Sequence, residues 1–118
     1  MGIWDKIFNA SNVKWSKVFD SLEEANSKVP LNKAVTVLVE DQKVCLARTG
    51  EGFFAVADAC PHLGASLSRG NCNNFNEVVC PWHSFRFNLK SGEETTGQNL
   101  TVRCYHTDIR KDGLYIGI

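Results

Sequence analysis

The chain carries two short segments in which a thiol and an imidazole stand almost side by side, Cys60-Pro61-His62-Leu63-Gly64 and Cys80-Pro81-Trp82-His83. Seventeen residues separate His62 from Cys80. Cys and His are the soft and borderline donors that iron and zinc prefer, and a gap of one or two residues lets a single loop present both to one site. Two such loops supply four candidate ligands: Cys60, His62, Cys80 and His83. Pro61 and Pro81 each set their own φ and withhold an N–H, and Gly64 lets the backbone come close to a ligand sulfur.

Mixed ligation leaves two candidates, tetrahedral zinc and the two-iron cluster in which two histidines replace two cysteines on one iron. Zinc fingers usually pair Cys with Cys in one knuckle and His with His in the other. Here each segment has one of each, which favours the cluster, with Cys60 and Cys80 on one iron and His62 and His83 on the other. At these residues the sequence resembles the Rieske family, whose signature is C-x-H, a gap of this size, then C-x-x-H. "CPHLGASL" and "CPWHSFRF" are similar to the loops of soluble Rieske ferredoxins and of the Rieske domains of ring-hydroxylating oxygenases, and the resemblance runs from about Trp15 to Ile118. In the respiratory-complex branch of the family a disulfide ties the loops together. Its cysteines would fall at Ala65 and Trp82, so this chain resembles the disulfide-free ferredoxin branch.

The resemblance implies one [2Fe-2S] cluster per chain and an all-β Rieske iron-sulfur fold. That fold is an antiparallel β-sandwich with a cluster-binding subdomain of two loops, 60–68 and 80–87, at one tip. It also implies a one-electron carrier with no catalytic residue of its own, passing electrons from a reductase to an oxygenase or other terminal oxidoreductase. Its alternatives are the small subunit of a larger oxidoreductase, as in nitrite reductase, and a structural zinc module. In the family the two histidines are exposed at the tip, where Leu63, Pro81 and Trp82 would form a small contact patch suited to a brief encounter.

Replacing two thiolates by neutral imidazoles makes the oxidised cluster less negative and so raises its potential relative to a four-cysteine cluster. In the family's high-potential branch a Ser and a Tyr after the second loop donate hydrogen bonds to sulfur. Those positions are Phe85 and Phe87 here, neither with a hydroxyl, and Ser84 falls one residue early to replace them. The expected potential is therefore at the low end of the Rieske window, about −150 mV. Exposed ligand imidazoles would also make the potential fall at alkaline pH.

The rest of the chain must position these loops. Its 118 residues suit one core, read as an N-terminal extension over 1–14 and a Rieske domain over 15–118. Ile3, Trp4, Ile7 and Phe8 repeat at helical spacing, as a terminal segment packing on its own domain would. Trp15 to Phe19 reads as a strand, Asp20 to Glu24 as a capping box opening a short helix, and Pro30 as its end. "AVTVLVE" and "KVCLAR" read as a hairpin turning at Asp41-Gln42, and "FFAVA" as a third strand entering the first loop. Asn71 to Asn76 is turn-like, "EVVC" is a short strand delivering Cys80, and "SFRFNL" leaves the second loop. Thr101–Ile109 and Leu114–Ile118 read as a last hairpin around Asp112-Gly113.

With 13 basic and 13 acidic side chains the formal charge is zero, without the basic field that nucleic-acid binding uses. No signal-length segment and no run of about 18 apolar residues occurs, so neither secretion nor a membrane span is expected. Of the five cysteines, Cys45, Cys72 and Cys104 have no disulfide spacing, which suits a cytoplasmic protein with reduced thiols. Cys45 and Cys104 read as small buried hydrophobes, Cys72 as a bystander between the loops, and His106 as an ordinary strand histidine. Arg69 and Arg86 read as solvated surface charge, and the chain as a monomer in isolation.

Overall fold

A computed structural model describes residues 13–118. The expected segment Ile3 to Phe8 and most of the expected extension lie outside the described residues. Strand β1 (Trp15–Phe19) leads into a seven-residue helix α1 (Leu22–Lys28). The helix starts where its capping residues dictate. The Ser21 hydroxyl accepts from the Glu24 amide at 3.0 Å, and the Glu24 carboxylate accepts from the amide of Asp20, one residue ahead of the cap. At its C-terminal end the Arg48 guanidinium donates to the carbonyls of Asn26 and Val29, satisfying groups that the last turn leaves without partners.

Strands β2 (Lys33–Val39), β3 (Gln42–Thr49) and β4 (Gly52–Ala57) form an antiparallel meander. The first turn is Glu40-Asp41 and not Asp41-Gln42. Both residues have positive φ, 52° and 65°, as a two-residue turn matched to strand twist requires, and Gln42 pairs with Val39 inside the sheet. Strands β5 (Asn71–Cys72), β6 (Glu77–Val79) and β7 (Arg86–Asn88) make a second, three-stranded sheet. The turn-like stretch expected over Asn71 to Asn76 is thus a strand at its first two residues. Strands β8 (Cys104–Arg110) and β9 (Gly113–Gly117) close the chain, with Gly113 paired to Arg110, so the turn residues are Lys111 and Asp112. The main sheet has the order β1-β9-β8-β4-β3-β2.

Strand β3 explains how the layers stack. Four successive residues, Val44 to Ala47, are fully buried, because alternate side chains enter two different cores. Val44 and Leu46 pack with Ala25, Val29, Phe53, Leu114 and Ile116 beneath the helix. Cys45 and Ala47 face the small sheet and pack with Val56, Cys72, Val78 and Phe87, a core that reaches Cys60 and Cys80. The second core is what joins the small sheet and its loops to the main sheet.

Candidate metal centre

The first loop leaves β4 and folds back on itself. Ala59 bridges Ser66, the Cys60 amide donates to the Ala65 carbonyl at 2.8 Å, and the Gly64 amide donates to the Cys60 carbonyl at 2.7 Å. Gly64 sits at φ 78°, a conformation that glycine adopts without a Cβ penalty. The second loop is the tip of the β6–β7 hairpin. It repeats one of those closures, with the Cys80 amide donating to the Phe85 carbonyl at 2.7 Å as the Cys60 amide does to that of Ala65. His83 and Ser84 both have positive φ, 64° and 58°, so the histidine side chain leaves from a tight left-handed turn.

What brings the loops together is a close backbone crossing. Asn71 pairs with Val79, one residue before Cys80, and Gly70 lies against the same carbonyl. A Cβ built on Gly70 would stand 1.8 Å from the Val79 oxygen. Only glycine permits that approach, and its one signal in the sequence is the lone Gly after Arg69 in "SRGNC".

The two loops set Cys60 beside Cys80 and the ring of His62 beside that of His83. Cys60 and Cys80 are 2% and 1% exposed, and neither is in a disulfide. Burial pushes the Cys80 thiol up, the Trp82 backbone amide pulls it down, and the neighbouring Cys60 sulfur raises it further. The His62 and His83 ring centroids lie 5.4 Å apart at 71°. His83 is exposed and His62 half-buried. The His62 Nδ1 is a buried atom with no hydrogen-bond partner, an arrangement that costs about 1–3 kcal/mol unless another ligand takes the lone pair. Two buried sulfurs beside two imidazoles, one with an unclaimed nitrogen, are a donor set that fits a two-iron cluster with mixed ligation.

The neighbours divide into packing and surface. Phe85 is half-buried with its ring centroid 4.5 Å from that of His62, and Phe87 is fully buried in the core, so neither aligned position offers a hydroxyl. Pro61, Leu63, Pro81 and Trp82 are exposed, Leu63 at 55% and Trp82 at 52%, and form the rim of the tip. Trp82 therefore does not fill a buried space. Arg69 and Arg86 are exposed, and neither makes an ion pair among the described residues.

The remaining cysteines behave as hydrophobes. Burial raises Cys45 well above the usual thiol range, with further contributions from Cys72 and Asp58, and raises Cys72 to about 11. Burial also raises Cys104, which packs against the same core. His106 is exposed on β8, its ring 6.2 Å from that of Trp15. Among the described residues no helix is long and apolar enough to cross a membrane.

The chain is similar to several known proteins. The 3-phenylpropionate/cinnamic acid dioxygenase ferredoxin subunit of Escherichia coli (strain K12) is 38% identical over 50 residues, covering 42% of this chain and 47% of its own length. Apoptosis-inducing factor 3 of Homo sapiens is 32% identical over 75 residues, or 63% of this chain and 12% of its own. The chain thus spans less than half the length of the curated relatives it matches. Among solved structures, a putative NADH-dependent nitrite reductase small subunit from Mycobacterium tuberculosis superposes with a TM-score of 0.77 at 22% identity, over 90% of this chain and 96% of that one. A complex of reduced oxygenase and oxidized ferredoxin in carbazole 1,9a-dioxygenase gives 0.72 at 24%, over 86% and 91%. At these identities the superpositions establish the shared fold. Residues 20–108 match the Rieske [2Fe-2S] domain family over most of the chain, and the protein belongs to that family.

Proposed function

We propose that this protein is a one-electron carrier whose [2Fe-2S] cluster is held by Cys60 and Cys80 on one iron and His62 and His83 on the other. The observation that carries the reading is the unpartnered, buried Nδ1 of His62 beside two buried free thiols. When bound, the cluster supplies a site that accepts and releases a single electron. The chain's own residues do the rest. Cys60 and Cys80 are shielded from water, Phe85 packs against His62 at 4.5 Å, and His83 stands exposed. Burial on the sulfur side and exposure on the imidazole side make the histidine edge the route for the electron.

The rim of Pro61, Leu63, Pro81 and Trp82 suits docking of a reductase and then of a terminal oxygenase or other oxidoreductase. Such a patch is small, as a transient redox encounter needs. The name of the Escherichia coli relative, a dioxygenase ferredoxin subunit, supports this role. Coverage of almost the whole nitrite reductase small subunit supports the second reading, a subunit docked permanently in a larger oxidoreductase. A zinc module needs four donors converging on one ion, and among the described residues no three Cys, His, Asp or Glu side chains are so arranged. We take the Rieske domain as 15–118 with 1–14 as an extension, acting as a monomer in the cytoplasm, where Cys45, Cys72 and Cys104 would stay reduced.

Analysis of the purified protein tests the assignment. It should be red-brown and carry about two iron and two acid-labile sulfide per chain, bleaching reversibly on one-electron reduction. Colourless protein with one tightly held zinc and no sulfide would overturn it. Cys60→Ser and His62→Ala should each abolish the colour.

A further inference from the structure

We infer that Asp58 is a positioning residue that also lowers the reduction potential of the group held by the first loop, acting as a fixed buried negative charge. The inference rests on the cluster assignment above. Asp58 is only 5% exposed, yet no Lys, Arg or His nitrogen lies within ion-pair distance among the described residues. Instead its carboxylate clasps the far side of the loop. Oδ2 accepts from the Ser66 hydroxyl at 2.7 Å and Oδ1 from the Ser68 amide at 2.9 Å, while its backbone carbonyl accepts from the Leu67 amide at 2.7 Å. The Ser66 hydroxyl meets that of Ser68 at 2.9 Å, and Ser68 meets Thr36 of β2, so the chain of bonds ties the loop to the main sheet.

Oδ1 takes a backbone amide, which can only donate, and Oδ2 takes a hydroxyl, so the carboxylate sits where both oxygens can act as acceptors. The second loop has no equivalent clasp; its closure is the Cys80–Phe85 bond and the left-handed turn at His83 and Ser84. Neutral donors hold the charge of Asp58 without cancelling it. Only Ala59 separates it from Cys60, so their Cα atoms are no more than about 7 Å apart. The groove beside it is lined by one cationic residue, Lys43, whose backbone carbonyl accepts from the Asp58 amide at 3.2 Å and which is exposed. A negative charge at such range opposes addition of an electron.

The test measures the midpoint potentials of the iron-loaded wild type, Asp58→Asn, Asp58→Glu and Ser66→Ala, with iron and sulfide assayed on each. Asp58→Asn keeps the shape and removes the charge. At a fixed poise its reduced-to-oxidised ratio should rise about tenfold, which is about 59 mV for one electron. Asp58→Glu should return most of that shift, and Ser66→Ala, which cuts the clasp but keeps the charge, should lower thermal stability with less than about a threefold change in the ratio. Asp58→Asn with full iron and an unchanged potential overturns the inference, as does a Ser66→Ala shift as large as that of Asp58→Asn. Asp58→Ser serves if Asp58→Asn does not hold iron. If neither holds iron while wild type does, the carboxylate is a requirement for assembly and the tuning role falls. A wild type without iron and sulfide instead defeats the cluster assignment itself.

Discussion

Gly70 gives the most direct test of how the two loops are held in register. Replacing it with Ala places a Cβ 1.8 Å from the Val79 carbonyl oxygen, 3.0 Å from its carbon and 3.3 Å from the Leu67 oxygen. Those atoms are backbone and cannot rotate away. To reach the 3.0 Å that real Cβ contacts require, β5 and β6 must part by at least about 1.2 Å. An inter-strand bond near 2.9 Å would stretch beyond 4 Å and cease to be one. Loss of one or two ladder bonds at about 1 kcal/mol each, with 1–2 kcal/mol more for prising Cys72 and Val78 apart in the core, gives about 2–4 kcal/mol. For a chain of this size the melting temperature of the apoprotein should drop by roughly 10–20 °C. Iron retention should fall further, because the displacement moves the entry to Cys80 relative to the exit of the first loop. Thermal unfolding followed by circular dichroism and iron per chain are the two assays. Gly64→Ala is the control: its site is open but its φ is 78°, so it should cost only about 1 kcal/mol. If Gly70→Ala melts with the wild type and keeps full iron, the close crossing does not hold the loops.

Cys72 adds an alkaline signature. Burial raises its thiol from the usual 9.0 to about 11, so the fold favours the protonated form. The associated stability is fully present below pH 9 and is lost as pH rises through about 11, amounting to about 2–3 kcal/mol. Urea unfolding of the apoprotein should show that loss, and Cys72→Ala should reduce it; equal pH slopes for the two proteins would refute the cause. Phe85→Ala removes the ring against His62 and should cost about 1–3 kcal/mol in unfolding experiments while leaving Cys60 and Cys80 buried. Redox titration should place the midpoint near the low end of the Rieske range, about −150 mV, and should show it falling at alkaline pH. A value above roughly +100 mV, or a flat profile to strongly alkaline pH, would contradict the reading of Phe85 and Phe87 or of the exposed imidazoles.

The four candidate donors, most of the strands and the capped helix are legible in the residues themselves. Donor chemistry depends on residue type and short spacing, and the alternation of "AVTVLVE" and "KVCLAR" or the Ser21–Glu24 box acts over a few residues. Turn positions slipped by one at Glu40-Asp41 and Lys111-Asp112, because neighbouring residues of similar turn propensity compete and strand pairing chooses between them. What tertiary structure alone decided concerns groups far apart in sequence. The Gly70–Val79 crossing, the Asp58 clasp reaching Thr36 through Ser66 and Ser68, and the ring of Phe85 on His62 each join separate segments. Local patterns name the candidate donors, but their burial and the charge around them come from which backbones the folded chain brings into contact.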